Sequence, residues 1–203
     1  MGNRGRFGKY GEKKRIDRLR QSRLGKTHTG RDEAGPVVMA PRPKKQKAKK
    51  IRVSIKPAEP SDTGFIETLS REAFEQYGPY DEMLPYWFRS GIGITFLAWI
   101  GKRPVGYVML ARSQGEVLVP RVSELLAIAV EAGARRRGIG DLLMGEMTRK
   151  AEELLVDTLI LHTPVDNLPA QALFKKHGFA PVGVKKGFYP EGQSALLMQK
   201  EIP

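Results

Sequence analysis

Three arginines run straight into a Gly-x-Gly turn at Arg135-Arg136-Arg137-Gly138-Ile139-Gly140. An apolar strand pattern precedes the turn and an amphipathic helix pattern follows it. Glycine lets backbone come close to a ligand, and the first turn of a helix holds N–H groups with no partner inside the helix. The helix dipole and three guanidinium groups add positive charge. Together these features describe a diphosphate site, with a solvated basic loop as the plainer alternative. The turn lacks the Gly-Lys-Ser/Thr ending of a Walker loop and the third glycine of a dinucleotide fingerprint. Two other side chains could move protons. Glu124 interrupts the apolar run Val122–Val130, where a carboxylate is costly without a function or a partner. Strict two-residue alternation puts it on one strand face with Leu126 and Ile128. His162 lies in a second apolar run, Thr158–Thr163, and an imidazole titrates near neutrality.

The elements that must hold these groups follow from periodicity. Ile51, Val53 and Ile55 alternate with polar residues, which predicts a strand. Ser61-Asp62 offers an N-cap to a helix carrying Ile66, Leu69, Ala73 and Phe74, ended by Gly78-Pro79. Residues 80–90 predict a second, aromatic-rich helix. Ile94–Ile100 and Pro104–Arg112, joined by Gly101-Lys102-Arg103, predict an antiparallel hairpin. After the strand Val122–Val130, Gly138 opens a helix with Ile139, Leu142, Leu143, Met147, Ala151 and Leu154 on one face. Thr158–Thr163 is another strand. Asn167 caps a helix to about His177, where Gly178 stops it. Phe179–Val184 and Ser194–Lys200 predict the closing strands. The order is β-α-α-β-β-β-α-β-α-β-β, a mixed sheet flanked by helices in the α/β (mixed α+β) class.

The stretch from Ile128-Ala129-Val130 through Arg135-x-x-Gly138-x-Gly140 resembles the acetyl-coenzyme A motif of the GNAT acetyltransferase superfamily. Downstream, Leu161-His162-Thr163, Asn167, Ala170, Ala172-Leu173-Phe174 and Gly178-Phe179 resemble its second motif. The resemblance spans about residues 51 to 202 and is closest to ribosomal-protein and other protein N-terminal acetyltransferases. It implies a GNAT fold, with a central mixed sheet of about seven strands containing a splayed pair, flanked by about four helices. It implies acetyl-CoA as co-substrate and no metal. Pantetheine would lie along Ile128, Ala129 and Val130, pairing with the backbone of Ile128 and Val130. Arg135, Arg136, Arg137, Gly138, Ile139, Gly140 and Asp141 would wrap the diphosphate. Asn167 would hydrogen-bond pantetheine, and Phe174 would pack on the coenzyme. Ala132 stands where many relatives have proline.

Acetyl transfer needs a neutral amine, so a base must take a proton. Glu124 resembles the catalytic glutamate of lysine-acetylating relatives. His162 resembles the catalytic histidine of some protein N-terminal acetyltransferases, and both stay open as the base. Phe174 replaces the acid tyrosine of most relatives and has no proton to give. Tyr189, after Phe188, resembles one of the paired aromatics that hold the substrate's N-terminal backbone, and it is the candidate acid. Tyr77, Tyr80, Tyr86 and Trp87 fall where relatives build the acceptor wall, although such rings commonly serve as core.

Charge divides the chain. Residues 1–50 hold 17 Lys+Arg and 4 Asp+Glu, leaving 18 of each sign in residues 51–203. The whole net charge of +13 therefore lies on the first segment. That segment reads as a basic arm too polar to fold alone, with RNA or the ribosome as the expected partner. Residues 51–203 read as the acetyltransferase domain. The absence of cysteine excludes disulfides, thiolate nucleophiles and Cys-ligated metals. No apolar run is long enough to span a membrane, and a cytoplasmic enzyme acting on a protein or peptide is expected. The oligomeric state is left open. A small-amine or aminoacyl-RNA acetyltransferase is one alternative. A non-catalytic RNA- or ribosome-associated module is another, and Phe174 favours it.

Overall fold

Among the described residues, apolar runs and alternating patterns become seven strands, and the four helical patterns become two layers around them. The computed structural model describes residues 52–112 and 121–203. The expectations for residues 1–50 lie outside these residues. The elements are β1 (Val53–Pro57), α1 (Thr63–Phe74), α2 (Tyr80–Arg89), β2 (Gly93–Ile100), β3 (Arg103–Ala111) and β4 (Val122–Val130), then α3 (Ile139–Glu153), β5 (Thr158–Pro164), α4 (Leu168–Lys176), β6 (Ala180–Lys185) and β7 (Ala195–Glu201). The sheet order is β1-β2-β3-β4-β5-β7-β6. Only β4 and β5 pair in parallel, and the other neighbours are antiparallel. The sheet is therefore mixed, as expected from sequence.

One face of the sheet packs on α3 and α4, where Leu125, Leu159 and Leu161 meet Ile139, Leu143 and Phe174. The other face packs on α1 and α2, where Tyr107 and Met109 meet Ile66, Leu69 and Leu84. Burial of these side chains is the main favourable contribution to folding, at about 1.5–3 kcal/mol for each large apolar group. Tyr107 is fully buried in the second layer, and its hydroxyl lies 2.7 Å from Ser70 Oγ. Burial pushes its pKa well above the usual tyrosine value, with the Ser70 bond a smaller opposing effect. Ser70 also donates to Ile66 C=O. Tyr107→Phe should lower stability by about 1 kcal/mol, because Ser70 keeps its second partner. Urea denaturation of the two proteins checks this, and a loss beyond about 3 kcal/mol would mean the hydroxyl supports more than one hydrogen bond.

Three expectations are corrected. Asp62 does not cap α1 with its side chain. Its carboxylate turns back to accept the Glu59 N–H at 2.8 Å, closing a 3₁₀ turn at Pro60–Asp62 ahead of the helix. On α3, Leu142 is 47% exposed while Met144 is fully buried. The stripe follows Ile139, Leu143, Met147 and Ala151, and Met144 rather than Leu142 lies on its inner edge. The third correction bears on the site. On β3, Met109 pairs with Ala127 but the next residue, Leu110, pairs with Leu125. Leu126 is the extra residue of a β-bulge, which breaks the two-residue alternation. Ile128 pairs with Val108 on the α3/α4 side. Glu124 sits next to Leu125, a residue of that same side, and so points to the α1/α2 side. Glu124 and Ile128 therefore do not share a face.

Candidate active site

The parallel pair of β4 and β5 is short. It runs from Val122↔Thr158 to Leu125↔Leu161 and stops there, although both strands continue. Beyond that point β5 keeps its partner β7 through Pro164↔Ala195, and β4 keeps β3 through Val130↔Gly106. The two strands thus part like a fork, starting at the bulge. Glu131 N–H donates to Val105 C=O at 2.9 Å. Alternation along the strand then turns the N–H and C=O groups of Val130 and Ile128 the other way, into the gap. Arg135 Nε takes the Val130 carbonyl at 2.9 Å, so the Val130 N–H and both Ile128 groups remain available.

The cleft at this fork has a volume of about 1070 Å³. At one end lies the turn into α3. Gly138 there has φ +78°, a left-handed conformation that favours glycine. Leu142 N–H is the first in α3 to reach a carbonyl of the turn, that of Gly138 at 3.2 Å. The amides of Ile139, Gly140 and Asp141 precede it and have no helical acceptor. Arg135 and Arg136 line this end, whereas Arg137 is exposed outside the lining. Gly140 allows close approach of α4, since a Cβ there would meet Leu173 Cδ2 at 3.1 Å. The Asp141 carboxylate is neutralised from α4, by Lys176 Nζ at 2.7 Å and His177 Nε2 at 3.0 Å. The Lys176 contact, then His177, holds its pKa below the usual carboxylate value. Sequence reasoning missed this pairing, which offsets the carboxylate beside the first-turn amides of α3. Asn167 caps α4, its Oδ1 accepting the Ala170 N–H at 3.2 Å, and it also lines the cleft. Phe174 lines the cleft from a buried position against Phe179.

At the apex of the fork, Glu124 stands one residue before the last β4–β5 pair and His162 one residue after it. Both point to the α1/α2 side, and His162 Nδ1 lies 2.7 Å from Glu124 Oε1. The His162 side chain is 8% exposed and that of Glu124 is 34% exposed. His162 Nε2 is buried without a partner, and the imidazole is stacked on Phe188 with centroids 4.2 Å apart. A proton on Nδ1 satisfies the carboxylate, while a proton on the orphan Nε2 would be buried unpaired.

The far end of the cleft is aromatic. Tyr189 packs on Tyr77 at 5.1 Å and on Tyr80 at 6.3 Å, and Trp87 also lines the cleft. Tyr86 is exposed outside the lining. Burial, followed by its tyrosine neighbours and the carboxylates of Glu124 and Asp166, pushes the Tyr189 phenol well above its usual pKa, so it stays protonated at neutral pH. The sequence signalled Tyr77, Tyr80 and Trp87 only through position. Asp166, one residue before Asn167, was not singled out at all.

Among proteins of known kind, the family model described as the acetyltransferase (GNAT) family matches residues 63–179. An N-alpha-acetyltransferase of Sulfurisphaera tokodaii is 30% identical over 160 residues, covering 75% of this chain and 94% of the relative. One of Saccharolobus solfataricus is 28% identical over 156 residues, covering 73% and 93%. The crystal structure of the NatC complex bound to Gag peptide and CoA shares the fold, with a TM-score of 0.66 at 19% identity, covering 75% of this chain and all of that one. The forked strand pair and its amide-rich turn thus occur in a chain more than half of which matches one family, and the protein belongs to the acetyltransferase (GNAT) family.

Proposed function

We propose that this protein transfers the acetyl group of acetyl-CoA to the N-terminal α-amine of a protein. The observation that carries the reading is the fork of β4 and β5, with an acid–base pair at its apex. An amide-rich cationic turn stands at one end of the cleft and an aromatic wall at the other. The family match and the N-alpha-acetyltransferase relatives support the same reading.

The co-substrate supplies an activated thioester. Around it, the residues of this chain would act in turn. The first-turn amides of Ile139, Gly140 and Asp141, with Arg135 and Arg136, would hold the diphosphate. Ile128 and Val130 would pair with pantetheine like an added strand. Asn167, whose amide nitrogen is free of its capping role, would donate to pantetheine, and Phe174 would pack beside it. The acceptor amine enters from the α1/α2 side, mostly protonated at neutral pH. Glu124 takes its proton, because its carboxylate reaches the cleft while His162 Nε2 is sealed. His162 holds that carboxylate in place. The amine nitrogen bonds the carbonyl carbon, the carbon–sulfur bond breaks, the nitrogen gives up its second proton as the amide forms, and the departing sulfur takes a proton. Phe174 cannot supply that proton, but the Tyr189 hydroxyl can, provided that it regains a proton from the amide nitrogen in the same step so that no buried phenolate is left.

A panel of acceptors tests the reading. Peptides with a free α-amine should release CoA, and the same peptides already acetylated at the N-terminus should not. Release with polyamines or aminoacyl-RNA but not with peptides would move the protein to another acceptor class.

A further inference from the structure

We propose that Asp166, with Glu124, makes the acceptor end of the cleft select against amines whose first two residues carry a carboxylate. This rests on the N-terminal acetyltransferase reading above. Charge is partitioned along the cleft. The lysine and arginine side chains that line it, Arg135 and Arg136, both belong to the diphosphate turn. The carboxylate at that end, Asp141, is already paired with Lys176 and His177. The acceptor end is lined by Glu124 and Asp166 together with aromatic and apolar side chains. Asp166 has no ion-pair partner among the described residues. Lys185 has its Nζ 5.5 Å from the Phe188 centroid, and both it and Lys186 stand outside the lining.

Glu124 and Asp166 line the same cleft as Tyr77, Tyr80 and Tyr189. Burial is the main reason that the Tyr189, Tyr77 and Tyr80 phenols sit above their usual pKa, with smaller contributions from Glu124 and Asp166 on Tyr189, Asp166 on Tyr77 and Glu124 on Tyr80. The two acidic groups therefore share the cleft with the tyrosine cluster, Glu124 from β4 and Asp166 from the β5–α4 loop. An incoming ammonium is attracted to this end before it loses its proton. A side-chain carboxylate on residue 1 or 2 of the acceptor is repelled, since an extended chain advances about 3.5 Å per residue and keeps both side chains within reach. Asp166 is exposed and Glu124 partly buried, so the repulsion is strongest at low ionic strength. Selectivity then comes from an unfavourable contact with the wrong acceptor as much as from attraction to the right one.

The test uses the full chain and two peptides that differ only at residue 2, Ser-Lys and Ser-Asp, with a shared neutral remainder. At low salt the kcat/KM of the aspartate peptide should be about tenfold lower, and the gap should shrink at high salt. Asp166→Asn should narrow the ratio severalfold, mainly through KM, and Asp166→Lys should reverse the preference. Equal kcat/KM for the two peptides, or a ratio that Asp166→Asn leaves unmoved, would overturn the selectivity while leaving the transfer reading in place. A protein that binds CoA by calorimetry yet turns over neither peptide would sink both.

Discussion

Glu124→Gln should lower kcat by two to three orders of magnitude, about the contribution of one positioned proton acceptor, and should leave affinity for CoA unchanged. The amide keeps the size of the side chain and can still accept a hydrogen bond from His162 Nδ1, now 2.7 Å from the carboxylate. It cannot take a proton from an ammonium. The loss should be greatest at neutral pH, where the acceptor is mostly protonated, and smaller at alkaline pH, where free amine is abundant. His162→Leu removes the donor that orients Glu124, and we expect a fall of about tenfold. The two changes should not multiply, because they act through one hydrogen bond. Steady-state rates of the single and double variants decide the matter. If Glu124→Gln stays within threefold of the parent, the base lies elsewhere. Losses that multiply would give His162 a separate chemical role.

Gly138→Glu should weaken CoA binding by about a hundredfold or more, by placing a carboxylate among amides suited to an anion. Two effects must be separated. At φ +78° any side chain is strained, by about 1–2 kcal/mol. Crowding within the protein is not the cause, because a Cβ at Gly138 meets nothing within 4 Å. Gly138→Ala carries the strain without the charge and serves as the control. Calorimetric titration with CoA should show a modest loss for alanine and a much larger one for glutamate. Equal losses would assign the effect to backbone strain, and no loss in either would remove the turn from the binding site.

Both variants act on features that differ in how openly the sequence displays them. The turn at Arg135–Gly140 was readable because its parts are neighbours in the chain: a strand ends, glycines follow, a helix begins. Strand and helix periods were readable for the same reason, and every strand and helix expected from them within residues 52–112 and 121–203 is present in the expected order. Local reading erred where a neighbour in space overruled a pattern. Asp62 found the Glu59 amide instead of the α1 amides, and the packing of α3 on the sheet chose Met144 over Leu142. The largest departure was at Glu124. Its partner is 38 residues away, and its direction depends on an unpaired Leu126 that only the register against β3 reveals.

The sequence by itself determined the order of elements, the glycine-rich, cationic character of the turn at Arg135–Gly140, and the residue types able to move a proton. Those are properties of short stretches, set by side-chain period, backbone freedom and charge. Only the tertiary structure decided that β4 and β5 part after Leu125 and Leu161, that His162 gives Nδ1 to Glu124, and that Asp166 lines one cleft with Tyr77, Tyr80 and Tyr189. Each of these depends on which strand lies beside which, and at what register. That is fixed by burying two apolar faces of one sheet under separate helix layers, a requirement that no local window contains.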